Sequence, residues 1–238
     1  MQLVQQTISK LKGFKGWLDT LPLHESQLVL GLSGSVKHLA QSCAFEKLDK
    51  QLVIVTPTLL QATQTYEELS EWYDDEIVHL FPVEESLAAD FSVMSPDVVS
   101  QRIRTLDFLS RGQKGIVIVP LSGIQKLLVP ATVWKKSSIE LAMGSEIESM
   151  DAFVEQLVEL GYRRENMVAT PGEFALRGSI VDIYPLDQEY PLRLDFFDTE
   201  VDSIRAFNAE TQRSMDVIHE VRILPATDLP LQKEAVWK

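Results

Sequence analysis

Short apolar runs separated by longer amphipathic stretches dominate the first half of the chain, and this alternation constrains the fold more than any other feature. Residues 27–30 (QLVL), 51–56 (QLVIVT), 77–81 (IVHLF) and 115–119 (GIVIV) read as strands. Most of them are short and apolar on both faces, as strands buried in a parallel sheet are. Thr58 stands where it can cap a helix over 59–73, in which Leu59, Thr63, Tyr66, Leu69 and Tyr73 recur three and four apart. Residues 98–111 repeat the pattern through Val99, Ile103, Leu106 and Leu109, and Gly112 closes it. Strand–helix–strand alternation predicts an α/β layer built on a parallel sheet.

The second half reads differently. A helix over 150–160 ends at Gly161, and turn-punctuated strands follow at 172–176, 179–184, 192–197 and 201–207. Pro171-Gly172, the stretch from Pro185 to Pro191, and Asp198-Thr199 supply the breaks expected of hairpins in an antiparallel sheet. Basic residue usage changes as well. Residues 1–150 carry ten lysines and three arginines, whereas residues 151–225 carry seven arginines and no lysine. That shift supports a domain boundary between about 120 and 150, and the helix followed by antiparallel strands reads as a smaller α+β second domain. There is no internal repeat and no low-complexity tract.

Composition narrows the function. The chain of 238 residues is 45% hydrophobic and 24% charged, as a globular protein with a sizeable core is. No run approaches the ~18 to 20 apolar residues that span a bilayer, so no membrane partner is expected. The N-terminus lacks an apolar core followed by a small-residue cleavage site, and the single cysteine, Cys43, fits a reducing compartment. These features read as a cytoplasmic protein. Twenty-two basic against thirty-five acidic residues leave a net charge of −13, a field that repels a phosphate backbone. Direct DNA binding by this stretch alone is therefore not expected.

The sharpest local motif is Gly31-Leu32-Ser33-Gly34-Ser35-Val36-Lys37-His38. A phosphate-binding loop has the form G-x-x-x-x-G-K-[ST] between a strand and a helix, and Gly31 and Lys37 fall where that pattern needs them. Val36 replaces the glycine that lets the backbone wrap phosphates, and a β-branched residue resists such geometry. His38 replaces the hydroxyl residue that should reach Mg²⁺, and imidazole is a poor ligand for that hard cation. Nor does a later strand end in Asp-Glu. The expectation is a degenerate loop without catalysis, or simply a strand-to-helix turn tightened by glycine.

Three segments carry a family resemblance: LVLGLSGSVKHLA, LVIVTPTLLQATQTYEEL, and above all GEFALRGSIVDIYPLDQEYPLRLDFFDTEVDSIRAFNAETQRS followed by VRILPATDLP. They resemble the N-terminal region of bacterial transcription-repair coupling factor, which is itself similar to the excision-repair protein UvrB. The resemblance covers nearly the whole chain. It implies a motor-like α/β domain with a degenerate nucleotide loop over 1–128 and a UvrA-docking α+β domain over 129–222. It also implies a segment over 223–238 that begins a return to the first domain. ATP and Mg²⁺ would belong to motor domains outside this chain, and no cofactor is expected here. UvrA would be the direct partner. RNA polymerase and DNA would be met through other domains, and domains of the same protein are further partners.

In the family, UvrA is engaged by arginines and an aromatic, which carry over to Arg177 of the ALRG turn, Arg193 of PLRLDFF, and Phe197 at the end of that strand. Alternation supports two of these independently. Leu192, Leu194 and Phe196 share one face, which leaves Arg193, Asp195 and Phe197 on the other. An exposed Phe beside an Arg is a composition enriched at interface hot spots. The blander readings are an arginine paired within its own chain, with Asp195, Asp198 or Glu200 nearby, and a Phe in the core. Arg177 is the least supported by pattern, since Gly178 can introduce a bulge and reverse its facing.

Other groups carry less. Arg163-Arg164 read as helix-end residues meeting solvent. Glu84-Glu85 and Asp74-Asp75-Glu76 read as acidic turns, and His24, His38, His79 and His219 show no metal-ligand spacing. Trp17 and Trp72 read as core residues. The reading is a non-catalytic recruitment module that mimics UvrB. The alternatives are a nucleotide-binding helicase or ATPase fragment, or an autoinhibitory module of a translocase.

Overall fold

The computed structural model describes residues 12–23, 26–83, 95–125 and 128–229. In chain order the helices are α1 (Lys12–Thr20), α2 (Ser35–Leu48), α3 (Leu59–Ser70), α4 (Pro96–Arg111), α5 (Leu121–Ile124), α6 (Ala131–Lys136) and α7 (Met150–Glu159). The strands are β1 (Leu52–Thr56), β2 (Val78–Leu80), β3 (Ile116–Pro120), β4 (Ile139–Ala142), β5 (Arg163–Arg164) and β6 (Glu173–Arg177). They continue through β7 (Ile180–Ile183), β8 (Leu192–Phe197), β9 (Glu200–Phe207), β10 (Ser214–Ile218) and β11 (Glu220–Ile223). The described residues fall into two compact units, one within 1–85 and 112–126, the other within 86–111 and 127–238.

The first unit is the expected parallel layer. Its sheet runs β1-β3-β2, with both pairings parallel. The central strand β3 is buried at every position, which is why it reads as an unbroken apolar run. Thr58 caps α3 as its position predicts, its side chain accepting a hydrogen bond from the Gln61 backbone N–H. Ala62 and Leu69 of α3 pack with Phe45, Ile54, Val78, Leu80, Ile116 and Ile118 against the sheet. A second cluster joins Leu18, Leu39 and Cys43 with Trp17 and Trp72, the packing role expected of both indoles.

One strand expectation fails in this unit. Residues 26–30 have no regular structure, and Leu28 and Leu30 are 83% and 79% exposed. Apolarity marks a segment that can be buried, but a strand exists only where a neighbour takes its backbone hydrogen bonds. Among the described residues nothing pairs with 27–30.

The second unit holds the antiparallel sheet, in the order β10-β9-β8-β7-β6-β5, in which only the short β5 runs parallel to its neighbour. Arg163 and Arg164 form β5 rather than a helix end. Ser149 caps α7, and Phe153 and Leu157 of that helix pack on one face of the sheet with Phe174, Val181, Ile183, Leu192, Leu194 and Phe196. β4 pairs with β11 beside this core.

Two placements differ from the sequence expectation. Helix α4 clusters with the second unit, where Arg102 forms an ion pair with Asp228 at 2.6 Å and Asp107 one with Arg222 at 2.9 Å. Residues 223–229, the described part of the segment expected to begin a return to the first domain, also cluster there, Ile223 through the β4–β11 pairing. Both placements rest on partners far apart in sequence, such as Ile223 with Ile139 and Arg102 with Asp228, which local pattern does not report. His24, Glu84, Glu85 and residues 230–238 lie outside the described residues.

Candidate docking surface

The glycine loop was one candidate site. Gly31 and Gly34 adopt positive φ of 83° and 55°, values that a β-carbon would oppose, so both glycines serve the turn into α2. Val36 and Lys37 stand exposed in the first turn of that helix. His38 turns the other way and is buried. Its Nδ1 lies 2.6 Å from the Glu68 carboxylate and its Nε2 lies 3.3 Å from the Thr65 hydroxyl, so both ring nitrogens face partners on α3. The side chain at the position of the metal-reaching hydroxyl therefore ties two helices together.

The other candidate lies on the face of the large sheet opposite α7. Two tight turns set its register. Gly178, at φ 64°, and Ser179 join β6 to β7, with Arg177 opposite Ile180 and no register shift, so the bulge feared at Gly178 does not form. Asp198, at φ 59°, and Thr199 join β8 to β9, with Phe197 opposite Glu200. A shift does occur further along that pair, between Asp195 and Phe196. It falls on the β9 side, because one extra residue of β9, Asp202, lies between Ser203 and Val201, the partners of Asp195 and Phe196, while β8 keeps strict alternation.

The pairing register then assembles the site. Leu192, Leu194 and Phe196 are buried against α7, and Arg193, Asp195 and Phe197 face outward, as the sequence predicts. Phe197 is 79% exposed. On this face Asp182 of β7 lies directly opposite Arg193, and Ala175 of β6 lies opposite Asp182. Asp182 is fully buried and binds both arginines. Arg193 approaches it side-on, Nε to Oδ1 at 2.6 Å and Nη2 to Oδ2 at 2.9 Å, and the Arg177 Nη2 bonds Oδ2. The Arg193 guanidinium also lies over the Phe207 ring at 4.6 Å, within cation–π range. Val168, Ala175 and Phe207 form a small buried cluster beside it, with Tyr184 packed against them.

This arrangement determines the electrostatics. A buried carboxylate is costly unless paired, and two arginines on one carboxylate leave one positive charge unneutralised at the surface. The hydrogen bonds to Asp182 hold the Arg193 guanidinium more firmly protonated than usual. Arg205, opposite Arg193 on β9, is exposed and forms no ion pair among the described residues. The face thus presents an aromatic ring, a partly satisfied arginine and a free one.

Sequence reasoning placed Arg193 and Phe197 on one face and left the facing of Arg177 open, and the structure puts all three there. It missed Asp182 and proposed the wrong acids for Arg193. The available signal was the lone charge in the apolar strand Ile180-Val181-Asp182-Ile183, readable once the hairpin register is known. Among the described residues no group of His, Cys, Asp and Glu is disposed to hold a metal ion, and no helix is long and apolar enough to cross a membrane.

Residues 139–229, which contain every residue of this face, match the UvrB interaction domain family. The chain is 44% identical over 219 residues to a transcription-repair-coupling factor of Staphylococcus epidermidis, covering 92% of this chain and 19% of that relative. It is 38% identical over 237 residues to the Bacillus subtilis transcription-repair-coupling factor, covering 98% of this chain and 20% of the relative. A Staphylococcus haemolyticus transcription-repair-coupling factor is 42% identical over 219 residues. The chain spans about a fifth of the length of these relatives. The likeness to transcription-repair coupling factor and to UvrB carried by the sequence motifs is thus borne out.

Proposed function

From this kinship with transcription-repair-coupling factors and the UvrB interaction domain, we propose that the chain is a non-catalytic recruitment module that docks UvrA in the manner of UvrB. The observation that carries the reading is the exposed Phe197 beside Arg177 and Arg193 on one sheet face, inside the residues that match the interaction domain. An exposed large aromatic next to arginines suits an interface hot spot, with Phe197 filling an apolar recess and arginine N–H groups meeting partner acids.

In this reading the larger protein couples a stalled RNA polymerase to excision repair. ATP, Mg²⁺, DNA and polymerase are handled by domains outside this chain. The first unit serves as a motor-like scaffold with a degenerate nucleotide loop. Support for its lack of catalysis comes from His38, whose ring nitrogens are engaged with Glu68 and Thr65.

Titration calorimetry of the chain into purified UvrA tests the reading. The wild type is expected to bind, and Phe197→Ala and Arg177→Ala are each expected to weaken binding at least tenfold, a loss of about 1.4 kcal/mol or more. A well-folded wild type that does not bind, or variants that bind as tightly as wild type, overturns it.

A further inference from the structure

The two arginines of the docking face are not equivalent. Arg193 directs Nε and Nη2 onto Asp182, its Nη1 lies 3.5 Å from the Gln212 carbonyl oxygen, and its plane covers Phe207. Its donors therefore point inward, and its side chain is 21% exposed. Arg177 gives only Nη2 to Asp182, and its side chain is 48% exposed. Arg205 stands exposed directly across from Arg193, and while Asp182 pairs with Arg193, no carboxylate among the described residues pairs with Arg205.

We infer that Asp182 is a positioning residue of the docking surface: it fixes Arg193 as an internal strut and presents Arg177, together with Arg205, to acidic groups of the partner. Arg205 is thereby assigned as a further partner-contacting residue. This inference rests on the docking reading above. A carboxylate that binds arginines from the strands on either side of it removes rotamer freedom before binding, so the partner meets a pre-organised Arg177. An arginine whose fork is already occupied contributes little further charge to an acidic partner, whereas exposed arginines contribute both attraction and salt dependence.

The experiment measures UvrA binding by the chain and its variants over a series of salt concentrations, with circular dichroism as the check on folding. Asp182→Asn adds one positive charge to the face. If Asp182 only opposed an acidic partner, the substitution would tighten binding, and that result overturns the inference. The expected result is binding at least tenfold weaker. In the background of Arg177→Gln the same substitution is expected to cost less than threefold, because the residue through which it acts is gone; an undiminished loss there also overturns the inference.

Arg177→Gln is expected to weaken binding at least tenfold and Arg205→Gln about five- to tenfold, and each is expected to flatten its salt dependence. Should Asp182→Asn fail to fold, Arg193→Met decides. It is expected to weaken binding without flattening the salt dependence, and flattening equal to that of Arg177→Gln would make Arg193 a direct contact and sink the strut. If Phe197→Ala and Arg177→Gln bind like wild type, the docking reading itself fails. If they weaken binding and Asp182→Asn does not, only the positioning role fails.

Discussion

The loop at Gly31–His38 and the outer sheet face of the second unit both carry a motif that the sequence advertises, yet the fold uses them in opposite ways. In the loop, the informative side chain turns inward. His38 is buried against α3, where Glu68 and Thr65 receive its ring, and Lys37 is left in solvent. On the sheet face a buried group holds the informative side chains outward, since Asp182 anchors Arg177 while Phe197 stays exposed. A polar residue becomes available to a partner when the fold satisfies part of its bonding and leaves the rest open. When the fold satisfies all of it, the residue becomes architecture.

Substitutions sharpen the contrast in order of expected size. Asp182→Ala strips the buried carboxylate from beneath two arginines and removes their charge-assisted hydrogen bonds, which costs about 3 kcal/mol, read from chemical unfolding. A loss under about 1 kcal/mol would make the pair an ordinary surface bridge and break the comparison. His38→Ala removes the link from α2 to α3 and is expected to cost about 2 kcal/mol in the same measurement. Restoring the loop pattern with Val36→Gly and His38→Ser is expected to lower the melting temperature and to leave it unresponsive to Mg-ATP, because a hydroxyl at 38 would face α3. A saturable ATP-dependent rise would show that the loop lies two residues from function.

A fourth test uses pH on the sheet side. Burial works against charge on Glu173, but the backbone N–H groups of Ala169 and Thr170 outweigh it and hold its carboxyl below the usual range. With the folded pKa below the unfolded one, the stabilisation is present at neutral pH and lost as the pH falls through the carboxylate range. Glu173→Gln is therefore expected to cost about 1 kcal/mol at neutral pH. Wild type and variant should converge in acid, and a constant offset at every pH would contradict the assignment. The smallest effect is expected at Lys37→Ala, within about 0.5 kcal/mol, since its side chain is exposed.

Much of the fold was legible because it is local. Thr58 and the three-and-four spacing after it marked α3, the apolar runs marked β1 to β3, and Asp198-Thr199 marked the β8–β9 hairpin. Strict alternation in Leu192–Phe197 placed Phe197 outward without any tertiary information. Strand β10 and the β4–β11 pair went unseen, since their sequences are short and mixed and their stability comes from pairing.

Residues 27–30 make the converse point: an apolar run that pairs with nothing among the described residues is not a strand. For the site, the family resemblance named Arg177, Arg193 and Phe197, and alternation independently supported Arg193 and Phe197. Register placed Asp182 opposite Arg193, and packing buried His38 on α3. Periodicity, capping and tight turns are short-range properties encoded within a few residues. Which strand lies beside which, and which face another element covers, depends on contacts between distant segments, and those contacts set whether a charged side chain binds its own chain or waits for another.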